Sequence, residues 1–374
     1  MRGTKHIWLV AIALTLILIS CNQKDKVQIG VILPLTGDVA TYGQDLKKGM
    51  DIAFEEDKRF IPLYQDSKSN PQDALKAMQY LRGAKKIRFF IGDATTTVSL
   101  AIAEDAQKNG DILLVPIASG DEICKKGDMI FMNCPRNEKQ AVYAAKYVIE
   151  RYYGKRVGVI YQQIHYGQEL ANCFTSELLS NGMEVVFSEC VQDVRFGVRS
   201  VIAKAKKANL DVVFIPMEYE VGAYVLKQCK EQGIIADFIG TDGSYSQKFI
   251  DLAGDAAENY CFTMFPIDPN NEYYKFFVDS YHNKYNNEPN IFACYGYESV
   301  KNMMCAIKGS GVNPRDVMLF FHDSTFNSLT GILRFDSIGS ADRQCCIYTI
   351  QNHQFIQKYK DYLPRISDYF HNQK

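Results

Sequence analysis

The chain has 374 residues, with 42 Lys and Arg against 43 Asp and Glu and a formal net charge of −1 at neutral pH. That balance carries no electrostatic footprint for nucleic acid, and the length exceeds what one small core organises, so two domains are expected. Beyond the first twenty residues no segment approaches the ~20 apolar residues of a membrane-spanning helix.

Arg2 and Lys5 make the N-terminus positive, and Ile7 to Ile19 is apolar throughout apart from Thr15. This stretch is short for a membrane span and reads as a secretory signal, with a buried core helix as the alternative. Asn22 to Lys26 then turns abruptly polar, as a tether would. Leu18-Ile19-Ser20-Cys21 resembles a lipobox, which implies lipidation of Cys21, removal of residues 1–20, a lipidated tether over 21–26 and a net charge of −3 for what remains. The mature chain is expected outside the cytoplasm, anchored to a bacterial membrane through its lipid.

Strand and helix signals alternate from there on. Val27 to Leu33 is a continuous apolar strand ending at Pro34, and Gln44 to Asp57 carries Leu46, Met50, Ala53 and Phe54 on one helical face. Asn70-Pro71 reads as an N-cap followed by proline at the first helical position, with Gly83 ending the run. Ile87 to Ile91 and Ile112 to Val115 are strands that flank a helix from about Val98 to Lys108. The pattern restarts after Pro135: helices at 139–152, 168–179, 199–208 and 224–232 alternate with strands at 157–161, 185–189, 212–215, 238–240 and 260–265. Two further helices, 273–285 and 292–308, have no sheet of their own and are expected to return to the first unit. Extended segments at 329–335 and 345–350 are expected beside the second. The fold class is therefore α/β, two doubly wound parallel-sheet lobes covered by helices on both faces.

Ten cysteines follow Cys21, with no C-x-x-C and no paired His spacing, so no metal site is expected. In an exported protein Cys124 with Cys134 is the preferred disulfide, because it would clip a short excursion. The other reading is that most of these cysteines are small buried hydrophobes.

A set of short motifs runs in order along the chain: Gly30 to Gly37 (GVILPLTG), Tyr42-Gly43, Ile91-Gly92 before a hydroxyl cluster, Val115 to Ser119 (VPIAS), Tyr166-Gly167, Gly240 to Gly243 (GTDG) and Gly331 to Asp336 (GILRFD) followed by Gly339. In order and spacing the chain resembles the type I periplasmic binding proteins, and among them the leucine/isoleucine/valine-binding group. The resemblance implies two lobes joined by three crossings, near Cys134 to Asn137, Phe265 to Pro269 and Phe326 to Thr330. Lobe 1 is then 27–136 plus 267–327, and lobe 2 is 137–266 plus 328–374. It also implies a monomer that captures an amino acid between its lobes for an ABC permease, with no cofactor.

An α-amino acid needs hydroxyls and free N–H groups at a helix N-terminus for its carboxylate, and an anion for its ammonium. Thr95, Thr96 and Thr97 follow a strand and precede a helix, and Ser119 lies beyond another strand with the Ala118 and Ser119 backbone nearby, where open α/β sheets bind ligands. Helix capping is the competing reading of such hydroxyls; the resemblance carries the carboxylate role onto Thr96 and Ser119. It likewise assigns the ammonium to Asp242, against the competing reading of a turn aspartate, and aromatic walls to Tyr42 and Tyr166. Glu218 is a further candidate, with Met217 as the alternative under a shifted placement; a carboxylate there would favour polar or cationic solutes.

Two other classes compete. An enzyme would need motifs that are missing, since the chain has no G-x-G-x-x-G after a strand, no phosphate-binding G-x-x-x-x-G-K-[ST] and no G-x-S-x-G. His165 beside Tyr166 reads as a loop histidine. A lipoprotein that has lost its ligand and regulates a cell-envelope enzyme is the second alternative, and a binder of another small solute such as an amide is the third.

Overall fold

The computed structural model describes residues 26–359 apart from positions 195 and 330. The expected leader, Cys21 and the expected tether up to residue 25, together with residues 360–374, lie outside the described residues. The first sheet has five parallel strands: β1 (Val27–Leu33), β2 (Phe60–Asp66), β3 (Phe89–Gly92), β4 (Ile112–Val115) and β5 (Ile130–Met132), in spatial order β2-β1-β3-β4-β5. The apolar runs of β1, β3 and β4 are buried on both faces because helices α1 (Ala40–Glu56), α2 (Pro71–Lys85) and α3 (Thr96–Asn109) accompany them. β2 escaped the sequence reading because Pro62 interrupts it; at a sheet edge, however, a missing N–H costs little. Asn70 caps α2 as expected, accepting from the N–H groups of Gln72 and Asp73, but the helix runs through Gly83 and stops where Lys86 adopts a left-handed φ of 62°.

The second sheet takes β6 (Val157–Gln162), β7 (Val185–Val191), β8 (Val212–Phe214), β9 (Asp237–Gly240) and β10 (Cys261–Met264) as its parallel part. Helices α4 (Asn137–Tyr152), α5 (His165–Ser180), α6 (Val198–Lys207), α7 (Tyr219–Glu231) and α8 (Gln247–Ala253) accompany it. The chain then returns to the first sheet, where α9 (Glu272–Tyr285) and α10 (Ile291–Ser310) pack on α1. Helix α11 (Pro314–Asp323), the hairpin β11 (Phe326–Ser328) and β12 (Gly331–Leu333) follow. Finally β13 (Cys346–Gln351) and β14 (Gln354–Tyr359) add an antiparallel edge to the second sheet, giving the order β14-β13-β10-β9-β8-β6-β7.

The third crossing differs from expectation. Phe335 packs against Phe131, Phe321 and Phe326 with ring centroids 5.7, 5.3 and 5.5 Å away, and Ser340 bridges Met132 at the edge of the first sheet. Leu329 and residues 331–335 therefore lie beside the first lobe rather than the second, and the chain crosses between Ala341 and Cys346, not at Phe326 to Thr330. An aromatic cluster buried under α11 outweighs any edge position on the second sheet. Close by, Arg343 and Glu298 form an ion pair with side chains 4% and 2% exposed. Arg343 Nε donates to the Asn133 carbonyl (3.0 Å), Asn133 Nδ2 to Glu298 Oε1 (2.9 Å) and the Leu329 N–H to Glu298 Oε2 (2.8 Å). These bonds tie the first and third crossings to α10.

The expected Cys124–Cys134 disulfide is not formed; both are free and buried. The Cys134 thiol turns instead to the carbonyl oxygens of Ile117 (3.1 Å) and Ala118 (3.3 Å). Among the described residues no helix is long and apolar enough to cross a membrane.

Candidate functional site

Both Tyr-Gly pairs sit in the first turn of a helix, Tyr42-Gly43 in α1 and Tyr166-Gly167 in α5. A Cβ on Gly43 would meet the Pro34 carbonyl oxygen at 2.2 Å, and one on Gly167 the Gln162 carbonyl oxygen at 2.2 Å. Glycine thus lets each helix start against the end of the preceding strand, and the tyrosine before it is aimed between the lobes. The seven residues singled out in the sequence, Tyr42, Thr96, Ala118, Ser119, Tyr166, Glu218 and Asp242, all line one cavity of about 30 Å³, with Phe292, Thr95 and Gly243 among their neighbours. Met217, the alternative to Glu218, is wholly buried and does not form part of the wall.

One pole of the cavity offers hydrogen-bond donors. Thr95 occupies the N-cap of α3 but makes no side-chain cap bond; its N–H and hydroxyl go to Asp93 Oδ1 at 3.0 and 3.2 Å. Thr96, 4% exposed at the first helical position, has a hydroxyl oxygen with no hydrogen-bond partner. The first-turn N–H groups of α3 have no intrahelical acceptors either. Among the described residues the N–H groups of Ala118 and Ser119 make no hydrogen bond. The Ser119 hydroxyl, expected to face an anion, donates to Asn137 Oδ1 at 2.7 Å. Asp93 anchors this corner: it accepts from Ser67 Oγ at 2.6 Å, and burial raises its carboxyl to about 6 against these opposing bonds.

The other pole is acidic. Asp242 opens a single turn after β9, 6% exposed. Its Oδ1 accepts from Gln140 Nε2 (2.9 Å) and from the Tyr166 hydroxyl, and its N–H donates to Gln140 Oε1 (2.9 Å). Tyr166 thus orients the carboxylate as well as walling the cavity. Burial raises the Asp242 pKa, and the Tyr166 and Gln140 bonds oppose that rise. Burial also pushes Glu218 up to about 7, with the charges of Asp38 and Asp93 adding to it and Gln162 opposing. Among the described residues no Lys, Arg or His pairs with either carboxylate.

The lobes touch directly across the cleft. The Tyr42 hydroxyl donates to the Gly243 carbonyl and accepts from the Tyr219 N–H (3.3 Å), while the Tyr219 hydroxyl donates to the Asp38 carbonyl (2.7 Å). Tyr42 stacks on Phe292 with centroids 4.5 Å apart. This is a closed arrangement. His165 is exposed and outside the cavity wall, and no group of three or more His, Cys, Asp or Glu among the described residues is placed to hold a metal ion. Sequence reasoning missed Asp93, Gln140, Asn137 and Phe292. Only Asp93 carried a signal, an acid between a strand-ending glycine and a threonine cluster; Gln140 and Phe292 lie on helices read as cover, and Asn137 on a segment read only as a crossing.

Paired sheets with opposed polar walls define a two-lobed solute-binding protein. The chain belongs to the periplasmic binding protein family, whose sequence profile matches residues 26–359, and it is of that fold's first type. It is a binding protein and not an enzyme. The Leu/Ile/Val-binding protein homolog 2 of Brucella abortus (strain 2308) is 26% identical over 328 residues, covering 84% of this chain and 87% of the relative. Among solved structures, a leucine binding protein LivK from Thermotoga maritima superposes with a TM-score of 0.85 at 24% identity, covering 89% of this chain and 98% of that one. The branched-chain amino acid binding protein LivJ of Streptococcus pneumoniae, in complex with isoleucine, gives 0.81 at 25% identity, covering 88% and 98%. A Rhodopseudomonas palustris BisB5 solute binding protein holding 3,4-dihydroxybenzoic acid gives 0.80 at 17% identity, covering 89% and 96%.

Proposed function

We propose that this chain captures an α-amino acid between its lobes and delivers it to an ABC importer, tethered to the membrane by a lipid on Cys21 and acting as a monomer. The observation that carries the reading is one cavity with two opposite poles: the unpartnered Thr96 hydroxyl on one lobe and the cation-free Asp242 carboxylate on the other. The ligand carboxylate is met by the Thr96 hydroxyl, the Ala118 and Ser119 N–H groups and the N-terminus of α3. Because the Ser119 hydroxyl is committed to Asn137, the contribution of Ser119 comes from its backbone. The ammonium pairs with Asp242, held in place by Tyr166 and Gln140, and Tyr42 with Phe292 covers the apolar part.

Leu/Ile/Val-binding relatives and an isoleucine complex of the same fold support an amino acid. An aromatic acid, as in the dihydroxybenzoate complex, would satisfy the donor pole but bring no cation to Asp242, leaving a buried charge unpaired. Ligand bridging both lobes favours the closed state by its differential affinity for it, and the closed face is what a permease would recognise.

Native mass spectrometry of protein purified without added ligand, followed by calorimetric titration with an amino-acid panel, tests the reading. Asp242→Asn should weaken the bound amino acid by more than about tenfold, or ~1.4 kcal/mol. No saturable binding of any amino acid, or an unchanged affinity in the variant, overturns it.

A further inference from the structure

The amino-acid reading uses one of the two carboxylates on the cavity wall and leaves Glu218 without a task. Glu218 also lines a larger cleft of about 580 Å³ that opens from the same place, sharing Thr95 and Glu218 with the inner cavity. The inner cavity is the smaller of the two spaces and is continuous with the cleft at Thr95 and Glu218, so a ligand side chain that outgrows it extends past Glu218 into the cleft. Asp38 and Glu220 stand on the cleft wall, and among the described residues no Lys, Arg or His lines either space.

The position of Glu218 is built rather than incidental. It occupies the N-cap of α7 yet makes no side-chain cap bond, while its N–H is held by Gln162 Oε1 at 2.9 Å. Its carboxylate has no basic partner among the described residues. The positive end of α7 offsets part of its charge, and its raised pKa reports that the offset is incomplete. An aliphatic side chain passing this point would desolvate a charge and return nothing to it. A side-chain cation would pair with it as the α-ammonium pairs with Asp242. The unpartnered Thr96 hydroxyl, on the opposite lobe from both acids, draws the ligand's carboxylate end to the donor pole.

We infer that the ligand is a cationic α-amino acid whose side-chain ammonium or guanidinium pairs with Glu218 at the junction of cavity and cleft. The inference rests on the amino-acid reading and narrows its substrate class from branched aliphatic to dibasic. It makes Glu218 the specificity-determining residue, with Asp38 and Glu220 drawing the cation toward the mouth.

The test is calorimetric titration of the full-length protein in detergent with L-lysine, L-ornithine and L-arginine against L-norleucine, which keeps the lysine carbon chain without its terminal ammonium, and against L-leucine and L-isoleucine. At least one dibasic amino acid should bind about fifty-fold more tightly than norleucine, and Glu218→Gln should collapse that ratio to below about fivefold. Glu218→Asp should keep most of it, which separates charge from fold damage. Leucine or isoleucine binding more tightly than every dibasic amino acid, or a preference that survives Glu218→Gln, overturns this inference and leaves the amino-acid reading standing. Failure of every amino acid to bind overturns both.

Discussion

Replacing Thr96 by valine keeps the shape of the side chain and removes one oxygen. In the closed cleft that oxygen has no partner, so closure without ligand carries the desolvation cost of a lone hydroxyl, ~1–3 kcal/mol. Removing it should ease ligand-free closure by about 1 kcal/mol, roughly a fivefold gain in the closed fraction. The same change deletes a hydrogen bond to a charged carboxylate, ~1.5–3 kcal/mol, of which the easier closure offsets about 1 kcal/mol, so measured ligand affinity should fall roughly 3- to 30-fold. The two effects have opposite signs, which general destabilisation would not produce. Calorimetry reads the affinity, and small-angle scattering of the ligand-free protein reads the closure. Thr97, exposed on the next position of α3, supplies the control: Thr97→Val should stay within about twofold of the parent. A Thr96→Val protein that binds within twofold of the parent, or a Thr97→Val loss of equal size, would refute the assignment.

The remaining predictions concern charge, the crossings and the thiols. Because burial lifts the Glu218 carboxyl from 4.5 to about 7, its charge destabilises the closed fold, fully above pH 7 and progressively less as pH falls toward 4.5, where folded and unfolded chains both carry the proton. That rise corresponds to at most about 3 kcal/mol, so in urea unfolding Glu218→Gln should exceed the parent by ~1–3 kcal/mol near pH 8 and match it near pH 4; equal curves at both would refute the burial argument. Arg343→Met leaves Glu298 buried without its guanidinium, which should cost ~3–5 kcal/mol in denaturant unfolding, and adding Glu298→Gln should restore part of it. A loss below ~1 kcal/mol would show that the crossings are held by other contacts. Alkylation of the unfolded, unreduced protein should label Cys124 and Cys134 separately, whereas a disulfide-linked peptide pair would contradict the free-thiol arrangement.

Legibility followed local chemistry. The buried run of β1 and the periodic apolar faces of α1 and α2 set period and layer without reference to anything distant. Thr96, Ser119 and Asp242 each follow the C-terminal end of a parallel strand, and such ends converge on the ligand crevice in any doubly wound sheet; their convergence on one cavity is therefore a consequence of topology. Pro62 concealed β2 because a strand's tolerance of proline depends on whether a neighbour needs its N–H, which is a property of the sheet.

What the linear order of residues determined by itself was the alternation of strand and helix, and with it the lobes and the loops that face each other. The tertiary structure alone decided that Phe335 joins Phe131 and Phe321, that the Cys134 thiol meets carbonyls instead of Cys124, and that Glu218 rather than Met217 reaches the cavity. Each of those outcomes turns on which distant surface buries a side chain most completely. Spacing along a chain specifies where a side chain starts, and packing across the fold specifies what it meets.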